Sequence, residues 1–532
     1  MADAASNYLS RKTEPPQAAQ VDESPKTSAP AELPRPQIPK PLPSTPVPPI
    51  DPSLFEITNP HHYYWEDNAS LLDLGDNDDW QIKDACEGVL IMGAPGSGKT
   101  SGSGFAIASA FLMSGFGGLV LCAKTDEARR WQKLCSQYKR EQDCIVITRD
   151  SPHKLNILAY ETFHPRIGLT DDLITFFREL ISIVGRRSGQ NAHEDFWINA
   201  TNQLMRALFD VFLLAKEPMT VDNLVRFVTS APESPDKDWS DLPYFADVMD
   251  RAKQSVQTDE DRRVFSNAFD YWANVYPGIA PMTRSGITLG FTAMADALKG
   301  RGIHALISTE TTLTPESILS GKIVILDLPL KECGQGGMLV QAAWKYLFQR
   351  AVERRADKGQ SSARPVFLWE DEAHLFFSQH DVEFQPTARD CRAAHVLISQ
   401  SLHNFYQLGH NVHAVQAVLA TLNTQIFHAN GDLETNKWAS EKIGTTLKMH
   451  VSISIAPEPQ QGFWDQFRPH KSNTTTSLSQ QRESVLQPEA FLQLKKGGDG
   501  ITQAVILWVS HAFASNKGQP FTITTFEQQP IL

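Results

Sequence analysis

Short apolar runs recur in two parts of this sequence, separated by stretches in which apolar residues follow a helical spacing. Such runs are typical of strands that are buried on both faces of a sheet. Strands that alternate with helices at this interval predict an α/β fold with a mostly parallel sheet covered on both faces. The predicted strands are Gly88–Met92, Leu119–Cys122, Cys144–Thr148, Ile323–Leu328, Pro365–Glu372, His395–Ser399 and Gln425–Ala429.

The region between residues 165 and 315 has a different pattern, in which apolar residues recur at the spacing of one face of a helix. We therefore predict an all-helical domain, 165–315, inserted into an α/β domain made of residues 56–164 and 316–532. The helical segments that carry this prediction are Asp171–Val184, Phe196–Leu214, Met219–Val228 and Phe265–Val275.

The first 55 residues form a third regime. Twelve of the chain's 33 prolines fall within residues 1–50, interleaved with small and polar residues. Such a segment cannot bury enough apolar surface to offset its ordering entropy, so we predict a disordered proline-rich arm over residues 1–55. It has no basic segment followed by an apolar one and is therefore not a signal peptide. The arm is interpreted as either a docking arm for partner proteins or a passive tail.

Residues 101–123 carry no charge and reach the length of a membrane span. Gly115, Gly117 and Gly118 interrupt this stretch, which predicts a helix, a turn and a strand instead. We therefore expect no integral membrane insertion. The expected location is the cytoplasm, with a peripheral position at the inner membrane as the alternative.

The composition excludes some classes of function but does not identify one. The 532 residues suggest two or three domains, and 41% hydrophobic with 21% charged residues are ordinary globular values. A net charge of −12 argues against a protein that coats nucleic acid with a basic face, although a local basic channel remains compatible with it. The six cysteines show no C-x-x-C pair and no zinc spacing, which favours buried, reduced thiols.

The stretch from Gly93 to Thr100 fits the phosphate-binding pattern G-x-x-x-x-G-K-[ST]. Glycines let consecutive backbone N–H groups converge on an anion, Lys99 adds a charge at the β- and γ-phosphates, and Thr100 supplies a hydroxyl ligand for Mg²⁺. A predicted strand precedes the loop and an uncharged helix follows it, which places the phosphate at a helix N-terminus. ATP and Mg²⁺ are the predicted ligands. The predicted nucleotide-binding residues are Gly93, Ala94, Pro95, Gly96, Ser97, Gly98, Lys99, Thr100 and Ser101.

An apolar strand that ends in carboxylates is the partner that such a loop requires. Asp371 is the predicted second Mg²⁺ residue, and Glu372 the predicted base that orients and deprotonates the attacking water. Glu370 precedes them, so three carboxylates stand in a row and the identity of the base is open at this point. The stretch Asp371–His374 also spells the box of one helicase superfamily, but the Gln-x-x-Gly-Arg-x-Gly-Arg string of those helicases is absent, so the box is interpreted as coincidental.

Polar residues next to the following strand complete the predicted site. Gln400 comes directly after His395–Ser399, where it can contact the γ-phosphate or its water. Arg389 and Arg392 lie before this strand, near the edge of the domain. An arginine supplied across an interface stabilises the charge on the transferred phosphoryl group, and either residue can be that arginine.

Taken together, the phosphate loop, the helical insertion, the Asp-Glu strand and the Arg…Gln-Ser segment resemble the type IV secretion coupling proteins, the conjugative TraD/TraG group within the HerA–FtsK class of P-loop motors. The eleven-residue step from Arg389 to Gln400 matches the family's spacing between its trans-acting arginine and its sensor glutamine. Further stretches that resemble family motifs are Asp195–Trp197, Leu155–Leu158, Gly321–Pro329, Asn430–Asp432 with Gly444, and Leu486–Leu494.

The resemblance covers roughly residues 85–525 and implies a RecA-like P-loop ATPase that translocates DNA as a ring, as a homo-hexamer with shared active sites. It implies single- or double-stranded DNA bound without sequence preference, and secretion or mobile-element proteins as partners of the arm. Two features depart from the family. The chain begins with a proline-rich arm in place of transmembrane helices, and its second strand is followed by Cys122-Ala123-Lys124 where the family has Asp-x-Lys.

Two other function classes remain open at the level of sequence. The chain could be an ATPase that moves protein substrates, or a nucleotide-gated assembly component of a mobile-element or defence system that hydrolyses slowly. Stimulation of ATP hydrolysis by DNA distinguishes the DNA motor from both.

Overall fold

The strands of the domain that carries the phosphate loop form one large sheet in the computed structural model. The structure describes residues 47–58, 65–75, 78–163, 169–185, 194–300, 302–356, 363–407, 411–457, 472–509 and 511–528. Its strands are β1 Ser70–Asp73, β2 Asp79–Gln81, β3 Val89–Met92, β4 Gly117–Leu121, β5 Cys144–Ile147, β6 Ile323–Leu326, β7 Val366–Asp371, β8 Ala393–Ser399, β9 Thr424–His428, β10 Thr445–Pro457, β11 Ser472–Ser484, β12 Ile501–Trp508 and β13 Phe521–Glu527.

Helices occupy most of the remaining described chain. They are α1 Ile82–Cys86, α2 Phe105–Met113, α3 Glu127–Gln137, α4 Ile157–Thr162, α5 Leu169–Gly185, α6 Glu194–Ala215, α7 Val221–Thr229, α8 Pro243–Gln254, α9 Asp259–Asp270, α10 Tyr276–Gly278, α11 Pro281–Leu298, α12 Ile303–Ile307, α13 Glu316–Leu319, α14 Leu330–Ala356, α15 His380–Ala388, α16 Leu402–Gln407, α17 Val412–Thr421, α18 Leu433–Ile443 and α19 Ala490–Gln493.

The central sheet has nine strands in the order β13-β12-β9-β3-β8-β7-β4-β6-β5. All neighbours from β9 to β5 pair in parallel, and β12 and β13 add an antiparallel edge beside β9. The prediction of an α/β fold with a mostly parallel sheet is therefore confirmed. In such a sheet the loops that follow the strands meet at one edge, which is where ligands bind in this class of fold.

Alternate residues of each strand belong to two different cores, because successive side chains point to opposite faces of a sheet. Val89 and Ile91 pack with Phe111 of α2 and Trp131 of α3 on one face, whereas neighbouring positions of β3 pack on the other. Strand β4 starts with glycine where it approaches β7 closely, since a Cβ on Gly118 would lie 2.0 Å from the ring of Phe367. The ring of Phe367 therefore requires a residue without a side chain at this position of β4.

Among the described residues between β5 and β6, regular structure is helical only, from α4 to α13. The four predicted helical segments correspond to α5, α6, α7 and α9, the last continued by a π-helical turn over Tyr271–Val275. Their core is continuous with one face of the sheet through α14, since Phe209 and Trp344 belong to the same buried cluster as Leu326. The division into 56–164 with 316–532 and 165–315 stays a prediction.

The structure bears on two further predictions, the proline-rich arm and the uncharged stretch 101–123. Residues 1–46 of the predicted arm lie outside the described residues, but Phe55 at its end stacks on Tyr160 and Phe163. The uncharged stretch 101–123 forms helix α2, a turn and strand β4, as predicted. None of the described helices is both long and apolar enough to cross a bilayer.

Candidate functional site

The phosphate loop follows β3 at the carboxyl edge of the sheet. Gly96 and Gly98 have positive φ angles of 73° and 89°, which non-glycine residues rarely adopt. At Gly98 space is restricted as well, because a Cβ would lie 2.7 Å from the side chain of Thr502. The loop then runs through a π-helical turn, Thr100–Gly104, into α2. This is the strand–loop–helix order that the sequence predicted.

Residues from the C-terminal part of the chain support the phosphate loop and the turn after it through polar contacts. The Thr502 hydroxyl donates a hydrogen bond of 2.7 Å to the carbonyl of Ser97, and Gln528 donates one of 2.7 Å to Oγ of Ser101. Nε2 of the buried His428 lies 2.7 Å from Oγ of Ser103. Burial lowers the pKa of His428 to about 3, and the nearby charge of Lys99 acts in the same direction. The sequence reading missed these supports.

Thr100 and Asp371 meet where the prediction places a magnesium ion. Oγ1 of Thr100 is 3.4 Å from Oδ2 of Asp371. A hydroxyl and a carboxylate oxygen are hard ligands that suit Mg²⁺, with water completing the shell, so the two residues fit this ion. Lys99 is buried beside them. Burial lowers the pKa of Lys99, and the charges of Asp371 and Glu372 oppose that shift.

Glu372, the predicted base, lies beside Gln400, the predicted sensor. Nε2 of Gln400 donates a hydrogen bond of 3.0 Å to Oε1 of Glu372, and Nζ of Lys124 donates one of 2.7 Å to the same oxygen. Oε2 of Glu372 is buried and accepts no hydrogen bond. Burial raises the pKa of Glu372, but the hydrogen bonds from Lys124 and Gln400 outweigh burial and hold this pKa below its usual value. Nδ1 of His374 lies 3.7 Å from Oε2 of Glu372.

Glu370, the first of the three adjacent carboxylates, lies in different surroundings from Asp371 and Glu372. Strand alternation sends its side chain to the opposite face of β7, where it is fully buried. There Nζ of Lys345 lies 2.7 Å from Glu370 and also 2.7 Å from Asp381, and Nε2 of His395 lies 2.9 Å from Glu370. Glu370, Asp381 and His395 are close enough to hold a metal ion, but the ammonium group of Lys345 supplies the cation.

The two candidate arginines differ sharply. The Arg389 side chain is 62% exposed and pairs with Glu87 at 2.9 Å. Glu87 stands before β3, so Arg389 lies at the amino edge of the sheet, opposite its own phosphate loop. Arg392 is only 7% exposed, donates a 2.6 Å hydrogen bond to the carbonyl of Trp65 and lies 3.3 Å from Asp67. Of these two arginines, Arg389 is the one whose guanidinium group is exposed to solvent.

Lys124 also belongs to the site, although the sequence pattern predicted no role for it. It lies just beyond β4, and β4 is the neighbour of β7 in the sheet, so both chain segments leave the sheet at the same edge. The available signal was a lysine directly after an apolar strand. The order of the strands, which the sequence does not display, is needed to know which carboxylate it meets.

The sequence matches the family described as type IV secretory system conjugative DNA transfer over residues 59–507. A comparison with curated protein sequences gives no significant match.

Solved structures of the bacterial conjugative coupling protein TrwB share the fold. The unbound form without its first 70 residues is 13% identical, with a TM-score of 0.51 over 85% of this chain and 87% of TrwB. TrwB in complex with ADP and Mg²⁺ gives 13% identity and a TM-score of 0.51 over 85% of this chain and 88% of that chain. Its complex with the ATP analogue ADPNP gives 12% and 0.50 over 88% and 91%. With the family match extending over most of its length, this chain belongs to the conjugative DNA transfer family of the type IV secretory system.

Proposed function

We propose that this protein is a Mg²⁺- and ATP-dependent motor that moves DNA, with active sites shared between identical subunits of a ring. One observation carries the proposal: the phosphate loop, the Thr100–Asp371 pair and the Glu372–Gln400 pair lie together at the carboxyl edge of one sheet. This is the set of parts that phosphoryl transfer to water requires. The binding of ADP, Mg²⁺ and ATP analogues by TrwB supports ATP as the nucleotide.

Each residue has a separate task in hydrolysis. The loop N–H groups and Lys99 bind the phosphates, and Thr100 and Asp371 hold Mg²⁺, which neutralises charge that develops on the phosphate oxygens. Glu372 orients a water molecule and takes its proton. The oxygen of that water forms a bond to the γ-phosphorus, and the bond to the bridging oxygen breaks with its electron pair leaving on ADP. Gln400 contacts Glu372 and so reports on the phosphate to β8.

The position of Arg389 supports a ring. Strand β3 spans four residues, so its two ends are about 10–13 Å apart, and an arginine at the amino end does not reach a phosphate bound at the other end. An exposed guanidinium group there is placed to enter the site of a neighbouring copy. A homo-hexamer, as the family resemblance implies, would close such contacts head to tail.

DNA is the proposed cargo because the chain belongs to a family of conjugative DNA transfer proteins. A motor must hold every stretch of DNA that it meets, so contacts to the phosphate backbone and little sequence preference are expected. Proteins of the secretion system or mobile element, recruited through the N-terminal arm near the inner membrane, are the proposed further partners.

ATP hydrolysis measured with and without single- and double-stranded DNA tests the proposal. We expect stimulation by DNA of any sequence, DNA binding that weakens steeply with salt because counterions are released, and no turnover by the Lys99→Ala variant. Stimulation by protein substrates alone would favour a protein motor. Nucleotide-dependent assembly with no stimulated turnover would favour the gated assembly component, and either result would refute DNA translocation.

A further inference from the structure

Lys124 contacts the carboxylate of Glu372, the predicted base, beside the Thr100–Asp371 pair. Its Nζ is 2.7 Å from Oε1 of Glu372 and 4.0 Å from Oδ2 of Asp371. Asp371 in turn faces the hydroxyl of Thr100. The ammonium group is therefore directed at the magnesium and γ-phosphate side of the loop, together with Lys99.

The backbone beneath Lys124 is fixed while its side chain is free to move. Oε2 of Glu127, in the first turn of α3, accepts a 2.7 Å hydrogen bond from the N–H of Ala123, which closes the turn between β4 and α3. Glu127 is buried, and its Oε1 lies 4.0 Å from Nζ of Lys124. The Lys124 side chain itself is 52% exposed, and its four-carbon stem has room to change rotamer.

The charges around Lys124 favour a phosphate over the carboxylate as its partner. Lys99 and Lys124 face the same two carboxylates. The charge of Lys124 contributes to the lowered pKa of Lys99, whereas Asp371 and Glu372 hold the pKa of Lys124 above its ordinary value. A γ-phosphate with its equatorial oxygens carries more negative charge than Glu372 and accepts several hydrogen bonds. It also removes the repulsion between the two ammonium groups when it lies between them.

We propose that Lys124 is a catalytic residue that binds the γ-phosphate of ATP in its own subunit and, by leaving Glu372 for the phosphate, frees that carboxylate to accept the proton of the attacking water. This inference rests on the proposed ATPase function. Because ADP has no γ-phosphate, Lys124 returns to Glu372 after hydrolysis and the base is covered again. Lys99 binds both nucleotides, whereas Lys124 distinguishes the triphosphate from the diphosphate.

Binding and turnover of the Lys124→Ala and Lys124→Arg variants test this role. We expect Lys124→Ala to bind ADP with Mg²⁺ within about twofold of the native protein, but to bind a non-hydrolysable ATP analogue about tenfold more weakly, by calorimetric titration. Turnover should fall about 10²–10³-fold, as for the loss of one group that stabilises charge in the transition state. Lys124→Arg, which keeps the charge, should restore part of both.

Lys133→Ala is the matched control, since Lys133 is an exposed lysine of α3, and it should change neither affinity. If Lys124→Ala fails to fold, Lys124→Gln keeps most of the stem and serves in its place. Equal weakening of ADP and analogue, or unchanged turnover, would overturn the role of Lys124 while the proposed ATPase stands. Failure of the native protein to bind or hydrolyse ATP would instead refute the proposed function.

Discussion

Glu372 has a left-handed backbone, with a φ angle of 54°, directly after β7 ends at Asp371. This conformation costs a non-glycine residue about 1–2 kcal/mol. It turns the chain sharply into the Ala373–Leu375 turn, so that the Glu372 carboxylate meets Lys124 and Gln400 at the edge of the sheet. Strain of this kind persists only where surrounding contacts enforce it, and here those contacts involve the groups of the predicted reaction.

The substitution Glu372→Gln tests the assignment of the base. We expect nearly native nucleotide binding and a loss of turnover of about 10²–10⁴-fold, since the amide cannot take a proton from water. Fluorescent nucleotide titration and steady-state phosphate release measure the two quantities. Glu370→Gln is the comparison on the other face of the strand, and it should lower stability without a selective loss of turnover. Normal turnover by Glu372→Gln would show that another group is the base.

His428 predicts a dependence of stability on pH. Burial lowers its pKa to about 3 from an ordinary value near 6.5. The unfolded chain therefore binds a proton between these values and the folded chain does not, so the contribution of neutral His428 is complete above about pH 6.5. It is lost progressively as the pH falls towards 3, by at most about 1.4 kcal/mol per pH unit.

Thermal unfolding between about pH 7 and pH 5 measures this effect. The native protein should lose more stability across that range than His428→Gln, in which this group no longer titrates. His403→Gln, at an exposed position of α16, is the control and should follow the native curve. Parallel curves for the native protein and His428→Gln would contradict the prediction.

Successive side chains of β7 point to opposite faces of the sheet and therefore have different surroundings. Asp371 and the residue after it lie at the proposed nucleotide site, while Glu370 enters a buried ionic cluster with Lys345 of α14, Asp381 of α15 and His395 of β8. Nε2 of Gln349 adds a 2.8 Å hydrogen bond to Asp381. The cluster thus ties four elements together directly behind the catalytic edge.

Lys345→Met should destabilise the fold strongly. The substitution leaves two carboxylates buried without their cation, and breaking a buried ion pair in this way costs about 3–5 kcal/mol. The shift in the urea unfolding midpoint measures it. Lys331→Met, at an exposed position of the same helix, is the matched control and should shift the midpoint little. An unchanged midpoint for Lys345→Met would show that the cluster contributes no net stability.

At the scale of the whole molecule, the sheet presents opposite chemistry at its two edges. The carboxyl edge holds the phosphate loop and Glu372, and the amino edge exposes Arg389 beside Glu87. In the proposed ring, each subunit would offer a site on one side and an arginine on the other. This asymmetry is what a head-to-tail ring requires, because one copy completes the site of the next.

Arg389→Ala should bind ATP nearly normally and lose turnover by roughly 10³-fold or more if the arginine acts in trans. Mixing Arg389→Ala with Lys99→Ala should restore part of the activity, since an intact loop can then lie beside an intact arginine. Phosphate release by the mixture against each variant alone measures the restoration.

Arg392 provides the comparison for that experiment. Because it is buried against Trp65 and Asp67, Arg392→Ala should lower the melting temperature more than Arg389→Ala does. A silent Arg389→Ala together with a stably folded, inactive Arg392→Ala would reassign the trans-acting role. Mixed rings that form but regain no activity would refute the shared site.

Much of the fold and part of the site follow from local pattern. The phosphate loop is readable because glycines, lysine and threonine are consecutive and the flanking strand and helix are adjacent in sequence. The parallel sheet is readable because strands and helices alternate. The positions of Asp371 and Glu372 can be predicted for a related reason. A carboxylate at the end of a strand of such a sheet lies at the same edge as the loop.

Other features depend on which elements are neighbours, and no local pattern records that. Glu370 could not be separated from Glu372 in the sequence, since β7 is buried on both faces and its apolar residues show no alternation. Lys124 meets Glu372 only because β4 lies beside β7, and Thr502 supports a loop 405 positions away because β12 pairs with β9 next to β3. Local patterns in the sequence thus predict a phosphate loop and a mostly parallel sheet. Which charged side chains lie beside that loop depends on the order of the strands, because strand order is set by packing over long separations in the chain.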